Sequence, residues 1–286
     1  MAEIYTRLIK AVTGNGTGSL KITPTAGKRV HGLQLHLIYA GGTNTMVGLC
    51  TALTEIRMKV GSNVRWRLNG TQLRDFVLLH GTTYDFNGTP NTPGAQITIP
   101  LAPEWFLDNV ADALAWNPAL LGDAITCEVD STASLTCTAF ERVSDDLNAP
   151  SAGIITLEVI KPVAGGLAFY VREEIDPVGR LILASIYPDS GASNEITPAS
   201  LLVGKDNVFA HEALTSAEND EQLERYSLTP AASGRTANIY DIAPVKSDAL
   251  SRAIDLGAWG TAKIKVEAGG AMSGTCSILL ARLEPK

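Results

Sequence analysis

The stretch KVGSNVRWRLNGTQLRDF, Lys59 to Phe76, decides how this chain is read. Apolar and polar residues alternate up to Val60, a Gly-Ser-Asn turn interrupts, and Val64, Trp66 and Leu68 resume the alternation. A period of two belongs to a strand with one buried face, so the passage predicts a hairpin. Asn69-Gly70 then opens TQLRDFVLLHG, where Leu73, Phe76 and Val77 follow helical spacing and Gly81 offers a stop. A looser version of the same order, LVGKDNVFAHEALTSAEND, runs from Leu202 to Asp220, with Thr215 and Glu218 in capping-box spacing.

Period two extends well beyond this stretch. GLQLHLIY puts Leu33, Leu35, Leu37 and Tyr39 on one side of a strand; EIRMKV does the same with Ile56, Met58 and Val60. QITIPL offers Ile97, Ile99 and Leu101, AITCEV offers Ile125, Cys127 and Val129, and SLTCTAF follows at once. Short strands between Gly, Pro and Asn turns are the mark of a sandwich or barrel. Ile4, Leu8 and Ile9 predict one or two amphipathic helical turns within residues 1–12, and residues 82–93 carry loop chemistry throughout. SDDLNAPSAG, residues 144–153, has the short polar side chains of a linker.

Beyond that linker the order starts again. GRLILASIY answers GLQLHLIY, SLLVGKDNVFAHEA answers MKVGSNVRWRL, TSAENDEQLERY answers the first helix, and ANIYDIAP answers AQITIPLAP. GTAKIKVEA answers GDAITCEVD, and GTCSILLARL answers LTCTAFERV. Gly32 and Gly179, Val60 and Val203, Pro103 and Pro244, and Cys137 and Cys276 are 147, 143, 141 and 139 residues apart. Small insertions and deletions in loops produce such a drift. The expectation is a duplicated all-β domain.

Composition excludes little but points one way. The net charge of −7 argues against wholesale nucleic-acid binding, which needs a surplus of Lys and Arg. No apolar run reaches membrane-spanning length, and MAEIYTRLIKAV lacks a secretory apolar segment, so a soluble protein made in a cytoplasm is expected. Cys50, Cys127, Cys137 and Cys276 form no CxxC pair and no zinc spacing with His, which suits buried, reduced thiols.

No catalytic, cofactor-binding or metal site emerges. There is no G-x-S-x-G elbow and no H-E-x-x-H. His31 and His36 stand five apart, hence on opposite faces of a strand; His80 and His211 are isolated. GNGTGSLK, Gly14–Lys21, resembles a phosphate loop, but its glycines precede a strand rather than a helix. Arg57, Lys59, Arg65 and Arg67 are expected on the polar face of the first hairpin, as a basic patch or a solvated strand face. SDDLN, REEID and ENDEQLE lack the calcium-loop pattern, and the Asn-Gly-Thr triplets at Asn15, Asn69 and Asn87 suit turns.

The order strand, glycine turn, strand, helix in MKVGSNVRWRLNGTQLRDFVL, then ITIPLAPEWF and NPALLGDAITCEVD, resembles a known family. It is that of the double jelly-roll major capsid proteins of tailless icosahedral phages with an internal membrane, the corticovirus type in particular. The second copy repeats the order in SLLVGKDNVFAHEALTSAENDEQLERY and IDLGAWGTAKIKVEA, so the resemblance covers residues 18–286. It implies an all-β chain of two tandem jelly-roll sandwiches with short helices in loops: an arm at 1–17, one jelly roll at 18–148 and another at 149–286. It implies a non-enzymatic virion protein, assembled in a bacterial cytoplasm, whose homotrimers form pseudo-hexameric capsomers. Its partners would be neighbouring capsomers, penton, minor capsid or membrane proteins and an underlying lipid membrane, without sequence-specific nucleic-acid binding. The arm would face inward. Family shells sometimes use calcium, the one cofactor left open here.

Another class has the same outline: a tandem jelly-roll carbohydrate- or receptor-binding module. Tyr84, Phe86, Asn87 and Trp105 would be its platform, while Trp66 belongs to the core. Four tryptophans make a thin supply for that role.

Overall fold

The computed structural model describes residues 4–9, 12–14, 20–43, 45–80, 86–90, 94–103, 105, 112–160, 170–187, 196–244, 252–268 and 276–285. Contacts divide the chain into two compact units that meet between Ile155 and Thr156. The sequence reading placed that break at 148/149. Ser144 is still paired with Arg29, so the first five-letter run of the expected linker begins inside a strand.

Unit 1 contains β1 (Tyr5–Leu8), β2 (Val12–Gly14), β3 (Leu20–Ile22), β4 (Arg29–Tyr39), α1 (Met46–Ala52), β5 (Leu53–Val60) and β6 (Asn63–Leu68). It continues with α2 (Gly70–Leu79), β7 (Phe86–Gly88), β8 (Ala95–Pro100), α3 (Pro118–Leu121), β9 (Ile125–Ser131) and β10 (Leu135–Ser144). One antiparallel sheet runs β1-β10-β4-β8-β7, with β2 also on β10; the other runs β3-β9-β5-β6. Leu33, Leu35 and Leu37 of the first sheet and Ile56, Met58, Trp66, Cys127 and Val129 of the second are all buried, which is the alternation expected of two facing sheets.

β11 (Ile154–Ile160) leads into unit 2, followed by β12 (Tyr170–Ile175), β13 (Arg180–Tyr187), β14 (Ile196–Val203), β15 (Val208–Leu214) and α4 (Ser216–Arg225). β16 (Tyr240–Ile242), β17 (Ile254–Asp255), β18 (Ala262–Ala268) and β19 (Ser277–Glu284) complete it. Its sheets run β11-β19-β13-β16 and β12-β18-β14-β15. Position by position this is the order of unit 1. β19 stands for β10, β13 for β4, β16 for β8, β18 for β9, β14 for β5 and β15 for β6. Leu181, Ile186, Leu201, Val203, Tyr240, Ile264, Val266, Cys276 and Leu280 form one core cluster.

The register sharpens the duplication. His31 is an extra residue between Val30↔Val143 and Gly32↔Arg142, and Ile182 is the extra residue between Leu181↔Arg282 and Leu183↔Ala281. Matching the two bulges aligns Cys137 with Cys276, as expected, but pairs Gly32 with Leu183 rather than Gly179. Gly179 instead sits in the turn before β13, with φ of 72°. The hairpins also agree. Gly61 N donates to Ala124 O at 2.9 Å and Gly204 N to Thr261 O at 2.9 Å, both glycines having positive φ.

Both predicted helices form, and both start in a reciprocal cap. Asn69 Oδ1 accepts from Gln72 N at 2.8 Å while Gln72 Oε1 accepts from Asn69 N at 2.9 Å; Thr215 and Glu218 repeat the exchange. α2 is buried over nearly all its length because α1, which the sequence reading missed, packs on it. α4 buries only Asn219 and Leu223.

Three further expectations are corrected. Residues 5–8 form a strand along β10, not helical turns, and with β2 they place part of the expected arm in a sheet. Val64 is 37% exposed: β6 pairs Trp66 with Met58 and Val64 with Lys59, so Arg65 is an inserted bulge residue and the alternation skips a step. Phe86–Gly88 of the expected loop pairs with β8; residues 81–85 and 91–93 lie outside the described residues.

Candidate assembly surface

The basic face of the first hairpin is neutralised from within its sheet. Register sets Arg57 beside Glu128 of β9. Its Nε lies 3.1 Å from Glu128 and its Nη2 2.9 Å from Asp130, and it also meets Glu55. Lys59 Nζ is 2.6 Å from Glu128, and Arg67 Nε is 3.2 Å from Glu55. Burial pulls the Arg57 guanidinium down, but Asp130, Glu55 and Glu128 outweigh it and raise it. The Lys59 hydrogen bond, joined by the charges of Lys59 and Arg57, holds Glu128 below the usual carboxylate range despite burial. Three cations therefore meet three carboxylates, and the face offers little net charge to a polyanion.

The other candidate residues are dispersed. His31 Nε2 meets Ser144 Oγ at 2.9 Å, while His36 lies against the Phe140 ring at 5.0 Å. His80 stacks on Trp105 at 4.7 Å, and His211 stands edge-on to Tyr240. Among the described residues no group of three or more His, Cys, Asp or Glu side chains could hold a metal ion. The acidic runs have partners in the fold: Asp145 with Lys28, Glu174 with Lys263, Glu218 in its cap and Glu221 with Arg225. Residues 15–19 of the glycine-rich loop lie outside the described residues, and β3 follows as expected. All four cysteines are buried and free.

Trp105 is no binding platform. It is 8% exposed, sandwiched by His80 and edge-on to Phe76 at 5.9 Å. Phe86 and Asn87 belong to β7, and Tyr84 lies outside the described residues. A groove of about 380 Å³ between residues 23–27 and 118–125 has Asp123 as its only charged lining group.

Among the described residues, the large apolar side chains that meet solvent include several on strands at the ends of the sheets. β1 ends one sheet of unit 1, and Ile4 and Leu8 are 40% and 57% exposed. β15 ends one sheet of unit 2, where Val208 and Phe209 are 49% and 57% exposed, with Trp259, 47% exposed, beside the hairpin. The Trp259 ring lies over Gly204; at the matching place in unit 1 the carboxylate of Asp123 lies over Gly61. The second copy is thus apolar where the first is polar.

No family model and no curated protein matches the chain by sequence. Solved structures do match in shape. The major capsid protein P2 from bacteriophage PM2 is similar with a TM-score of 0.74 at 14% identity, over 99% of this chain and 97% of that one. The fold is the double jelly roll. The STIV major capsid protein matches at 0.67 and 13% identity over 99% of this chain and 97% of its own. The Faustovirus major capsid protein matches at 0.63 and 6% identity, over 99% and 90%. The double jelly roll accounts for the repeated strand order and for the helix that follows the hairpin in each half. Which strands end the sheets was not legible in the sequence, because alternation marks faces and not edges.

Proposed function

We propose that this chain is a major capsid protein, a structural component of an icosahedral virus shell that works without catalysis. The observation that carries the reading is the likeness along 99% of the chain, both jelly rolls included, to capsid proteins of nearly the same extent. The duplication supports it on physical grounds. Three copies of a two-sandwich chain present six similar walls, so a homotrimer acquires a pseudo-hexagonal outline and tiles a lattice. Divergence between the halves, such as Trp259 against Asp123, suits walls with different neighbours.

The finer reading names neighbouring capsomers, penton and minor capsid or membrane proteins as partners, above an internal lipid membrane. It places assembly in a bacterial cytoplasm.

Mass measurement by light scattering tests it, with negative-stain microscopy of the same sample. The expected species is a stable trimer, three times the 30.3 kDa chain, with a six-cornered outline. A chain that stays at 30.3 kDa at every concentration overturns the proposal.

A further inference from the structure

The two units differ sharply at one pair of matching turns. In strand order, the turns before β4 and β9 of unit 1 answer those before β13 and β18 of unit 2. In unit 1 the groove of about 380 Å³ lies between them, walled by Pro24, Ala26, Pro118 and Ala119, with Asp123 as its charged group. That is room enough for an aromatic side chain. In unit 2 the same two turns are tied by Leu256 N, which donates to Gly179 O at 3.1 Å, and they carry Val178 and Trp259 into solvent. Trp259 is braced there. Its backbone N donates to Leu256 O at 3.2 Å, Ala258 N donates to Asp255 Oδ1 at 3.2 Å, and the ring rests over Gly204. One place in the fold is thus a recess in the first jelly roll and a knob in the second.

Recess and knob fit each other chemically. An indole ring calls for apolar walls and its N–H for a single acceptor, and the groove offers apolar walls and the Asp123 carboxylate. A side chain already braced loses little freedom when it docks. The matched positions also select a symmetry. Rotation about a ring axis carries such a position to the next without bringing the two together. An approximate two-fold axis sets them face to face, as in any contact that uses the same patch on both sides. The pair therefore suits a contact between rings rather than within one.

We propose that Trp259 of one copy inserts into the unit 1 groove of a copy in the neighbouring capsomer, with its indole N–H toward Asp123. The inference rests on the capsomer reading and adds to it a contact between capsomers. Divergence of the two halves at this place is then what makes the lattice contact complementary, since two knobs would clash and two recesses would leave a void.

The test reads Trp259 directly. Trp66, Trp105 and Trp116 are buried, so acrylamide quenching of the folded chain reports chiefly on Trp259. Quenching and mass by light scattering are followed on the same samples as protein concentration rises. The expected result is a loss of most of the quenching as the mass grows beyond a trimer. Trp259→Ala should lack the quenchable component and stop at the trimer. Ala119→Arg fills the groove from an exposed position in α3; it should keep the trimer, the quenching and an unchanged circular dichroism spectrum, and should not grow further. Growth beyond the trimer with quenching unchanged overturns the insertion and leaves the capsomer reading standing. So does a loss of quenching that Ala119→Arg shows equally, or a trimer that grows at no concentration. A wild-type chain that is monomeric throughout overturns both.

Discussion

The guanidinium of Arg235 lies 2.6 Å from the carboxylate of Asp241, with both side chains shut off from solvent. Asp241 also accepts from Ser185 Oγ at 2.5 Å, and its carbonyl takes Asn219 Nδ2 at 3.0 Å. Arg235 in turn donates to Pro230 O at 2.9 Å. One buried pair thus ties β13, α4, β16 and the turn after α4. Removing one partner strands a buried charge, so Asp241→Asn is expected to destabilise the protein by about 3–5 kcal/mol. Arg235→Met/Asp241→Leu should lose much less. Urea-denaturation midpoints distinguish them, and a loss for Asp241→Asn of under about 1 kcal/mol would refute the assignment.

The Lys59–Glu128–Arg57 cluster predicts a pH dependence. Glu128 is depressed below its ordinary 4.5 by the Lys59 hydrogen bond and by the nearby cations, against burial. A depressed folded value means the stabilisation is present above the unfolded value and is lost as pH falls through the folded one. Stability should therefore decline below about pH 4.5, and Glu128→Gln should flatten that decline. The side chains are partly exposed, so the difference should stay under about 1 kcal/mol. Thermal midpoints of both proteins between pH 3 and 7, about the range of carboxylate titration, measure it; parallel curves would contradict it.

Gly61 and Gly204 hold the same turn in the two hairpins, with φ of 59° and 73°. An alanine at either position must adopt a left-handed conformation, a penalty of about 1–2 kcal/mol. Gly61→Ala should do slightly worse, since its Cβ would overlap the exposed Asp123 carboxylate, which must swing aside and give up its bond from Ala124 N, whereas at Gly204 the nearest atom is a Trp259 ring carbon at 3.2 Å. Adding Asp123→Ala to Gly61→Ala should recover the difference. Denaturation midpoints of the three variants decide it, and no recovery would show that the carboxylate is not the obstacle.

The thiols should be silent until the protein unfolds. Burial pushes the Cys50 and Cys137 thiols up to about 12 and raises Cys127 as well. Ellman's reagent at pH 8 should find none of the four in native protein and all four in guanidinium. Rapid native labelling would show that a core opens.

Alternation located the core well where strands are regular: Leu33 to Leu37, Ile56 to Val60 and Ile125 to Val129 are all in place. It failed at Val64, where one inserted residue reverses the faces, and a bulge depends on the partner strand. It also failed at Ile4 and Leu8. Residues four apart share a face in a helix and in a strand alike, so only pairing with β10 decides between them. The arginine face was legible, but its neutralisation was not, because Glu128 and Asp130 lie some seventy residues along the chain from Arg57 and reach it only through the β5–β9 register. Trp105 looked like a loop aromatic, and its stacking on His80 is set by how α2 packs.

By itself the sequence determined the local grammar: period-two strands, glycine hairpins, capped helices after them, and their repetition in the same order. These depend on each residue's own conformational preference and on which face it must hide, properties that neighbours along the chain settle. Tertiary structure alone decided which strands pair, which charges meet and which edges stay open. Those depend on register between segments far apart in sequence, where a shift of one residue exchanges the buried face for the exposed one.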